Sequence, residues 1–362
     1  MKRRHLLQTL PALSLGPAAH AQPAAPWLLC GQALLQLQPG SLAVQRRHAL
    51  PWRPELPALR HGGMAWLARR SGELLGLDLA GGSTRKLQLL PDLQDLSLSA
   101  DGAWLLATSA QAWQVVDAAT LREAARHAGT GPLHAPLALP QRRSLLLAAQ
   151  QRPELWELYL DPGAEDFYEG LVHDFRFGEG VPTRGFLGRR RMALAAPALA
   201  LWQHPAHFHV ALLQASHSLQ MFNLDARRPA GRLQLAAAPQ AACTWQWQGQ
   251  PVLALALQGQ LLLIDFDSAQ LRAQQTLGPG DTAVHVLLAQ PDALWVQAGQ
   301  ELRRLDAHCH TQARRSLPPL QALHPWGAQL LARSGAHWYC LDAQDLRLLG
   351  QREFSGPCHS LV

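Results

Sequence analysis

A beat of about 40 residues, dense Gly and Pro punctuation, and the lack of any sustained 3.6-residue apolar period predict an all-β chain. The architecture they predict is an eight-bladed β-propeller, with seven blades as the alternative count. The beat is a short apolar strand that ends in Asp and a turn. It recurs at Asp78, Asp117, Asp161, Asp225, Asp265, Asp306 and Asp342, at intervals of 39, 44, 64, 40, 41 and 36 residues. Leu37-Gln38-Pro39-Gly40 adds a beat 40 residues before Asp78, with Gln in the Asp place. Gly and Pro number 28 and 26, which speaks against a helical solenoid.

In chain order, the first segment is an export signal. Lys2-Arg3-Arg4 is a basic start, Leu6 to Ala18 is a short apolar run, and Ala19-His20-Ala21 is a small-x-small cleavage site. Residues 1–21 therefore read as a signal peptide, and Arg3-Arg4-His5-Leu6-Leu7 suits the twin-arginine route. The run is too short to span a bilayer. The mature chain is expected to be periplasmic, soluble and not membrane-spanning. Removing residues 1–21 takes three basic residues and no acid, leaving 29 basic against 26 acidic residues. That mild excess gives no argument for a nucleic-acid partner. Positive charge is almost wholly Arg, whose planar fork grips carboxylates.

Residues 22–362 are expected to form a single propeller domain. One unit shows the logic. Met64 to Ala68 is apolar, Arg69-Arg70-Ser71-Gly72 turns, and Glu73 to Leu79 alternates through Asp78. Gly81-Gly82 turns again, Arg85 to Leu89 forms a third strand, and Ser97 to Thr108 opens the next unit around Asp101-Gly102. An Asp at a strand end accepts bonds from backbone N–H groups of its own turn, and Gly tolerates the positive φ of a tight turn. Such a unit buries both faces only when stacked on neighbours around an axis. The twelve tryptophans are expected mainly in blade packing, and the Ala-rich stretch from Leu233 to Ala242 blurs the pattern. Five cysteines at irregular spacing give no disulfide framework and are expected to be buried or idle. No Cys-x-x-Cys-His occurs, so covalent c-type haem is not expected.

The over-long interval, with a loop expected over 162–200, holds the most distinctive residues. Trp156-Glu157 leads to Tyr168-Glu169-Gly170-Leu171-Val172-His173-Asp174-Phe175-Arg176-Phe177-Gly178-Glu179. Phe222-Asn223-Leu224-Asp225-Ala226-Arg227-Arg228 follows. On these two motifs the chain resembles the haem d1-type eight-bladed propeller family, as a divergent member. That family includes the d1 domain of cytochrome cd1 nitrite reductase and the haem d1 biosynthesis protein NirF. The resemblance implies a tetrapyrrole, haem d1 or a precursor, held at the propeller axis. It also implies a role in haem d1 biosynthesis or delivery for nitrite reductase, with partners among haem d1-handling proteins of denitrification. By position His173 is the catalytic candidate. His173, Arg176, Arg190, Arg191, His61 and His48 are the cofactor-binding candidates, and His61 is the candidate iron ligand.

The chain also departs from the family. Arg53-Pro54-Glu55 occupies the place of the iron-ligating His, and Pro239-Gln240 stands where the family shows Pro-His. An active nitrite reductase is therefore not expected, while action on a haem d1 precursor stays open. The alternative is a non-catalytic propeller that serves as an interaction scaffold in the same system.

Two further clusters suggest metal ligands. His204-x-x-His207-x-His209 puts 207 and 209 on one strand face, and His308-Cys309-His310 places two imidazoles two apart. Surface histidines of blade strands are the plainer reading of both. No Gly-x-Ser-x-Gly or phosphate-cradling Gly loop is present.

Overall fold

The structure is a computed structural model that describes residues 25–361 except 130, 135, 169–181, 206, 281 and 357. It contains eight sheets of four strands each, and no α-helix among the described residues. Blade 1 consists of β4 (Leu59–His61), β5 (Met64–Ala68), β6 (Glu73–Asp78) and β7 (Thr84–Gln88). Blade 2 consists of β8 (Leu93–Leu98), β9 (Trp104–Ser109), β10 (Ala112–Asp117) and β11 (Glu123–Ala128). Blade 3 is β12 (Leu137–Leu139), β13 (Ser144–Ala148), β14 (Glu154–Tyr159) and β15 (Arg189–Ala193). Blade 4 is β16 (Ala198–Gln203), β17 (His209–Gln214), β18 (Ser218–Asn223) and β19 (Arg228–Gln234). Blade 5 is β20 (Ala241–Trp247), β21 (Gln250–Leu257), β22 (Gln260–Asp265) and β23 (Leu271–Thr276). Blade 6 is β24 (Val284–Gln290), β25 (Ala293–Ala298), β26 (Glu301–Leu305) and β27 (Thr311–Ser316). Blade 7 is β28 (Ala322–Trp326), β29 (Gln329–Ser334), β30 (His337–Asp342) and β31 (Leu348–Glu353).

Blade 8 joins the two ends of the chain. The C-terminal strand β32 (Cys358–Ser360) is its innermost strand, and the N-terminal β1 (Trp27–Cys30), β2 (Ala33–Leu37) and β3 (Val44–Ala49) run outward from it. Cys30 faces Cys358 in register and is disulfide-bonded to it across 328 residues of sequence. This corrects the expectation of idle thiols for two of the five cysteines. Spacing was uninformative because ring closure, and not a local loop, pairs them. Cys243, Cys309 and Cys340 are free, and burial raises each of their thiol pKa values.

Burial explains the sequence of each strand. The second and third strands are sandwiched between neighbouring blades, so Ser144-Leu145-Leu146-Leu147-Ala148 is buried throughout. The fourth strands stand at the rim, so Thr311 to Ser316 alternates exposed and half-buried. Each blade-to-blade interface carries its own apolar cluster. Trp113 and Val115 of blade 2 pack with Leu145 and Trp156 of blade 3, and Phe222 of blade 4 packs with Leu146 and Met192 of blade 3. The last interface, between blades 8 and 1, is built the same way from Leu34, Ala65 and Leu75. Each fully buried Leu or Phe contributes about 1.5–3 kcal/mol over leaving it exposed.

The Asp beat falls at the turn between the third and fourth strands. Asp78, Asp117, Asp265 and Asp342 each end a third strand, and Asp306 follows one. Their Oδ1 atoms accept bonds from Ala80, Thr120, Ser268, Gln344 and His308 N–H at 2.7–2.9 Å. In blade 4 this role belongs to Asn223, whose Oδ1 accepts the Ala226 N–H at 2.7 Å. Asp225 is released from the turn and pairs with Arg142.

Because every blade runs outward from the axis, its turns sort onto two faces. First-to-second and third-to-fourth turns share one, called face 1 below. Second-to-third turns and the connections between blades share the other, face 2. The long connection joins β14 to β15 and so leaves from face 1. It spans 160–188, shorter than the expected 162–200, because Arg189–Ala193 and Ala198–Gln203 are strands.

Candidate functional site

Face 2 carries a cavity of about 860 Å³ at the meeting of blades 7, 8 and 1. The Pro-rich connection Pro51-Trp52-Arg53-Pro54-Glu55-Leu56-Pro57, between β3 and β4, forms one wall. Proline suits this place because an irregular connection needs no ladder N–H. The Glu55 carboxylate pins it to blade 1 by accepting the Arg70 N–H at 2.8 Å. The innermost strands supply His324 from β28 and His359 with Ser360 from β32. Arg69 and Arg333 enter from the ends of second strands, and Trp52 and Trp338 add aromatic surface.

The electrostatics of this cavity favour an anionic ligand beside neutral imidazoles. Burial lowers the His324 pKa and nearby Arg333 lowers it further. Burial likewise lowers that of His359, with Arg333 and Arg53 adding to the effect. His324 Nε2 shares a hydrogen bond of 2.6 Å with Ser360 Oγ. Arg333 donates to the Cys358 carbonyl at 2.6 Å, and Arg69 to Glu73 at 2.7 Å. The Nε–H of each is a buried donor without an acceptor among the described residues. Guanidinium groups suit carboxylate oxygens by their charge and their planar fork.

Face 1 holds a different constellation beside the long connection. Glu157 is fully buried, yet its carboxylate is satisfied. Arg142 Nε reaches Oε1 at 2.6 Å, and Ser144 Oγ donates to the same atom at 2.8 Å. Tyr159 O–H donates to Oε2 at 3.1 Å. Arg142 also pairs with Asp225, tying blade 3 to blade 4. Phe167 and Thr183 exchange backbone hydrogen bonds at 2.9 and 2.7 Å, closing the base of the connection. Arg190 packs over Phe167 at 4.6 Å and over Tyr159 at 5.4 Å.

The residues singled out in the sequence divide between these places. His173 and Arg176 lie outside the described residues, beyond the Phe167–Thr183 bridge. Arg190 and Arg191 are on the rim strand β15, Arg190 at the base of the loop and Arg191 exposed. His61 ends β4 on face 1 and covers Gly102 closely enough that a Cβ there would come within 2.1 Å of its ring. His48 is on the outer strand of blade 8, where its ring stacks on Trp27 at 5.4 Å. Of the described ones, Arg190, Arg191, His61 and His48, none lines the face 2 cavity. Arg53 does.

His204, His207 and His209 lie in and beside the β16–β17 connection on face 1. His207 Nε2 and His209 Nδ1 each lie 3.1 Å from Oδ1 of Asp267, in the β22–β23 turn of blade 5. Burial, then the neighbouring His207, lowers the His209 pKa, and Asp267 opposes them. His308 and His310 stack at 6.0 Å, both exposed, and join no three-ligand cluster among the described residues.

Sequence reasoning missed His324, His359 and Asp267. The first two sit in strands without a local motif. Asp267 lies two residues past a beat Asp, a spacing that marks a turn and carries no hint of the histidines in the next blade.

Comparison with known proteins agrees with the fold. NirN, a dihydro-haem d1 dehydrogenase solved in complex with DHE, superposes with a TM-score of 0.74 over 98% of this chain and 78% of its own, at 16% identity. A computationally designed protein, Ika8, gives 0.59 at 11% identity over 83% of this chain and 86% of its own. BamB from Moraxella catarrhalis gives 0.56 at 12% identity over 84% of this chain and 91% of its own. No protein-family model matches the chain, and no curated protein matches it in sequence. At these identities the likeness establishes the eight-bladed propeller and nothing finer.

Proposed function

We propose that this chain is an exported propeller that binds a tetrapyrrole, haem d1 or a precursor of it, in the face 2 cavity between blades 7, 8 and 1. Its role would lie in haem d1 biosynthesis or delivery, with haem d1-handling proteins such as nitrite reductase as partners. The observation that carries the reading is the lining: two imidazoles whose pKa values are lowered, beside three guanidinium groups. The volume of about 860 Å³ lies within the usual range for pockets that enclose a small ligand. When bound, the macrocycle supplies a redox-active iron and peripheral carboxylates. Arg53, Arg69 and Arg333 would hold those carboxylates by charge-assisted hydrogen bonds. His359 presents a neutral imidazole from the innermost strand, the protonation state that ligation requires. Trp52 offers a flat apolar wall against a face of the ligand.

Export is supported by the Cys30–Cys358 bond, since disulfides persist in oxidising compartments. Among the described residues no helix is long and apolar enough to cross a membrane.

The test is an absorption titration of haem d1 into the mature chain. A saturable shift of the Soret band is expected. It should weaken at least about tenfold in Arg53→Ala and change in shape in His359→Ala, which removes the imidazole that would ligate iron. The rival placement uses His61 and Arg190 at face 1, with His173 and Arg176 as the further candidates from the sequence. If His61→Ala or His173→Ala abolishes the shift while His359→Ala leaves it intact, the cavity assignment is wrong. If no variant matters because nothing binds, and nitrite reductase is still captured without tetrapyrrole, the chain is a scaffold.

A further inference from the structure

On face 1, two neighbouring blades bring metal-ligand side chains to one point that the tetrapyrrole reading does not use. We propose that His207, His209 and Asp267 form a site for a divalent transition-metal ion of the Zn²⁺ type, with solvent completing the coordination.

The donor atoms converge before any ion is added. His207 Nε2 and His209 Nδ1 both stand 3.1 Å from the same Asp267 oxygen, and the three ligand atoms all lie within 4.8 Å of one another. A tetrahedral zinc ion with bonds of about 2.0–2.2 Å needs ligand atoms roughly 3.3–3.5 Å apart, so small side-chain rotations suffice. Two imidazoles with one carboxylate suit zinc and its first-row neighbours. Calcium and magnesium take oxygen ligands instead.

The side chains are held by their surroundings. His209 is the first residue of β17 and only 6% exposed, and His207 is 11% exposed. Their rings stack at 4.9 Å. The Gln203 side chain donates to the His207 carbonyl at 2.6 Å, and the His207 N–H donates to the His204 carbonyl at 2.9 Å. Asp267 is placed by the beat itself, because its N–H donates to Asp265 Oδ1 at 3.0 Å. Its carboxylate is 64% exposed, so the remaining coordination positions open to water. Three protein ligands with an open position is the pattern of zinc sites that bind a further small ligand. The ion also clamps blade 4 to blade 5, since each contributes ligands.

The experiment uses the untagged mature chain stripped with a chelator, titrated with ZnCl₂ by calorimetry and with CoCl₂ by absorption. One equivalent of Zn²⁺ is expected, with visible Co²⁺ bands of low-coordinate intensity. Asp267→Asn and His207→Gln should each weaken binding at least about tenfold, since even lost outer-shell partners cost that much. A His308→Ala/His310→Ala variant should bind as the parent does. The exposed Asp267 makes its substitution safe for folding, which circular dichroism checks. The proposal is overturned if no ion binds, if Asp267→Asn binds as tightly as the parent (an adventitious ion only), or if the His308/His310 variant removes the site. The two sites share no residue and lie on opposite faces, so failure here leaves the tetrapyrrole reading untouched, and the reverse.

Discussion

His127, His324 and His359 share a property that matters beyond any one site. Burial lowers the pKa of all three, and Arg189 beside His127 or Arg333 beside the other two lowers it further. A depressed folded-state pKa means that the unfolded chain takes up protons the folded chain refuses. Stability from these groups is therefore full above the ordinary imidazole value of about 6.5 and is lost as pH falls below it toward the folded-state values. The melting temperature should drop steadily as pH is lowered from about 7.5 to about 5.5, before carboxylates titrate. A flat profile over that range would show that these imidazoles are no harder to charge in the folded chain than in the unfolded one. Residues were the least legible level of the sequence. His207 and His209 could be read from their spacing, since a two-residue step shares a face. Asp267 could not, because its distance of 58 residues from His209 becomes a contact only through the stacking of blades 4 and 5. His359 could not be read either, because it lies in a three-residue strand whose neighbour Cys358 pairs with Cys30 across 328 residues.

The turn between third and fourth strands is the element that repeats most faithfully, and Asp265 shows its full form. Its Oδ1 accepts the Asp267 and Ser268 N–H groups at 3.0 and 2.8 Å and the Ser268 hydroxyl at 2.8 Å. Arg272 adds a two-pronged contact to Oδ2 at 2.7 and 3.1 Å. Against the upward push of burial, the Arg272 and Ser268 hydrogen bonds hold this carboxyl below the ordinary range. Asp265→Ala should cost about 1.5–3 kcal/mol, because charge-assisted bonds are lost and buried donors are left unmet. Chemical denaturation measures this, and a change near zero would mean that the turn stands on backbone sterics alone. The element was legible because one residue type recurs at one place. It was misread once, at Asp225, because Asn223 does the same work with an amide oxygen. The long connection was overestimated at its end, since the Arg run 189–191 looks like solvated loop while its aliphatic stems and stacked guanidiniums cover Trp156, Tyr159 and Phe167.

For the whole molecule, the ring has one seam. Blade 8 alone is made from both ends of the chain, so its closure opposes the entropy of a 328-residue loop. The Cys30–Cys358 bond holds β1 to β32 at that seam, beside the cavity that His359 and Ser360 line. Reducing it, or making Cys30→Ser, should destabilise the propeller by about 2–5 kcal/mol. Thermal unfolding with and without reductant measures this, and equal melting temperatures would mean that strand pairing alone closes the ring. The eight-fold count was legible because blade packing demands the same apolar strand pattern in every unit. The cavity was not, because it belongs to the junction of three blades far apart in sequence. The central claim is that this junction receives a tetrapyrrole. The most direct measurement is a crystal structure of the chain soaked with haem d1. A macrocycle is expected on face 2, with carboxylates against Arg53 and Arg333 and iron toward His359. A macrocycle seated at face 1 against His61 and the 160–188 connection would contradict it.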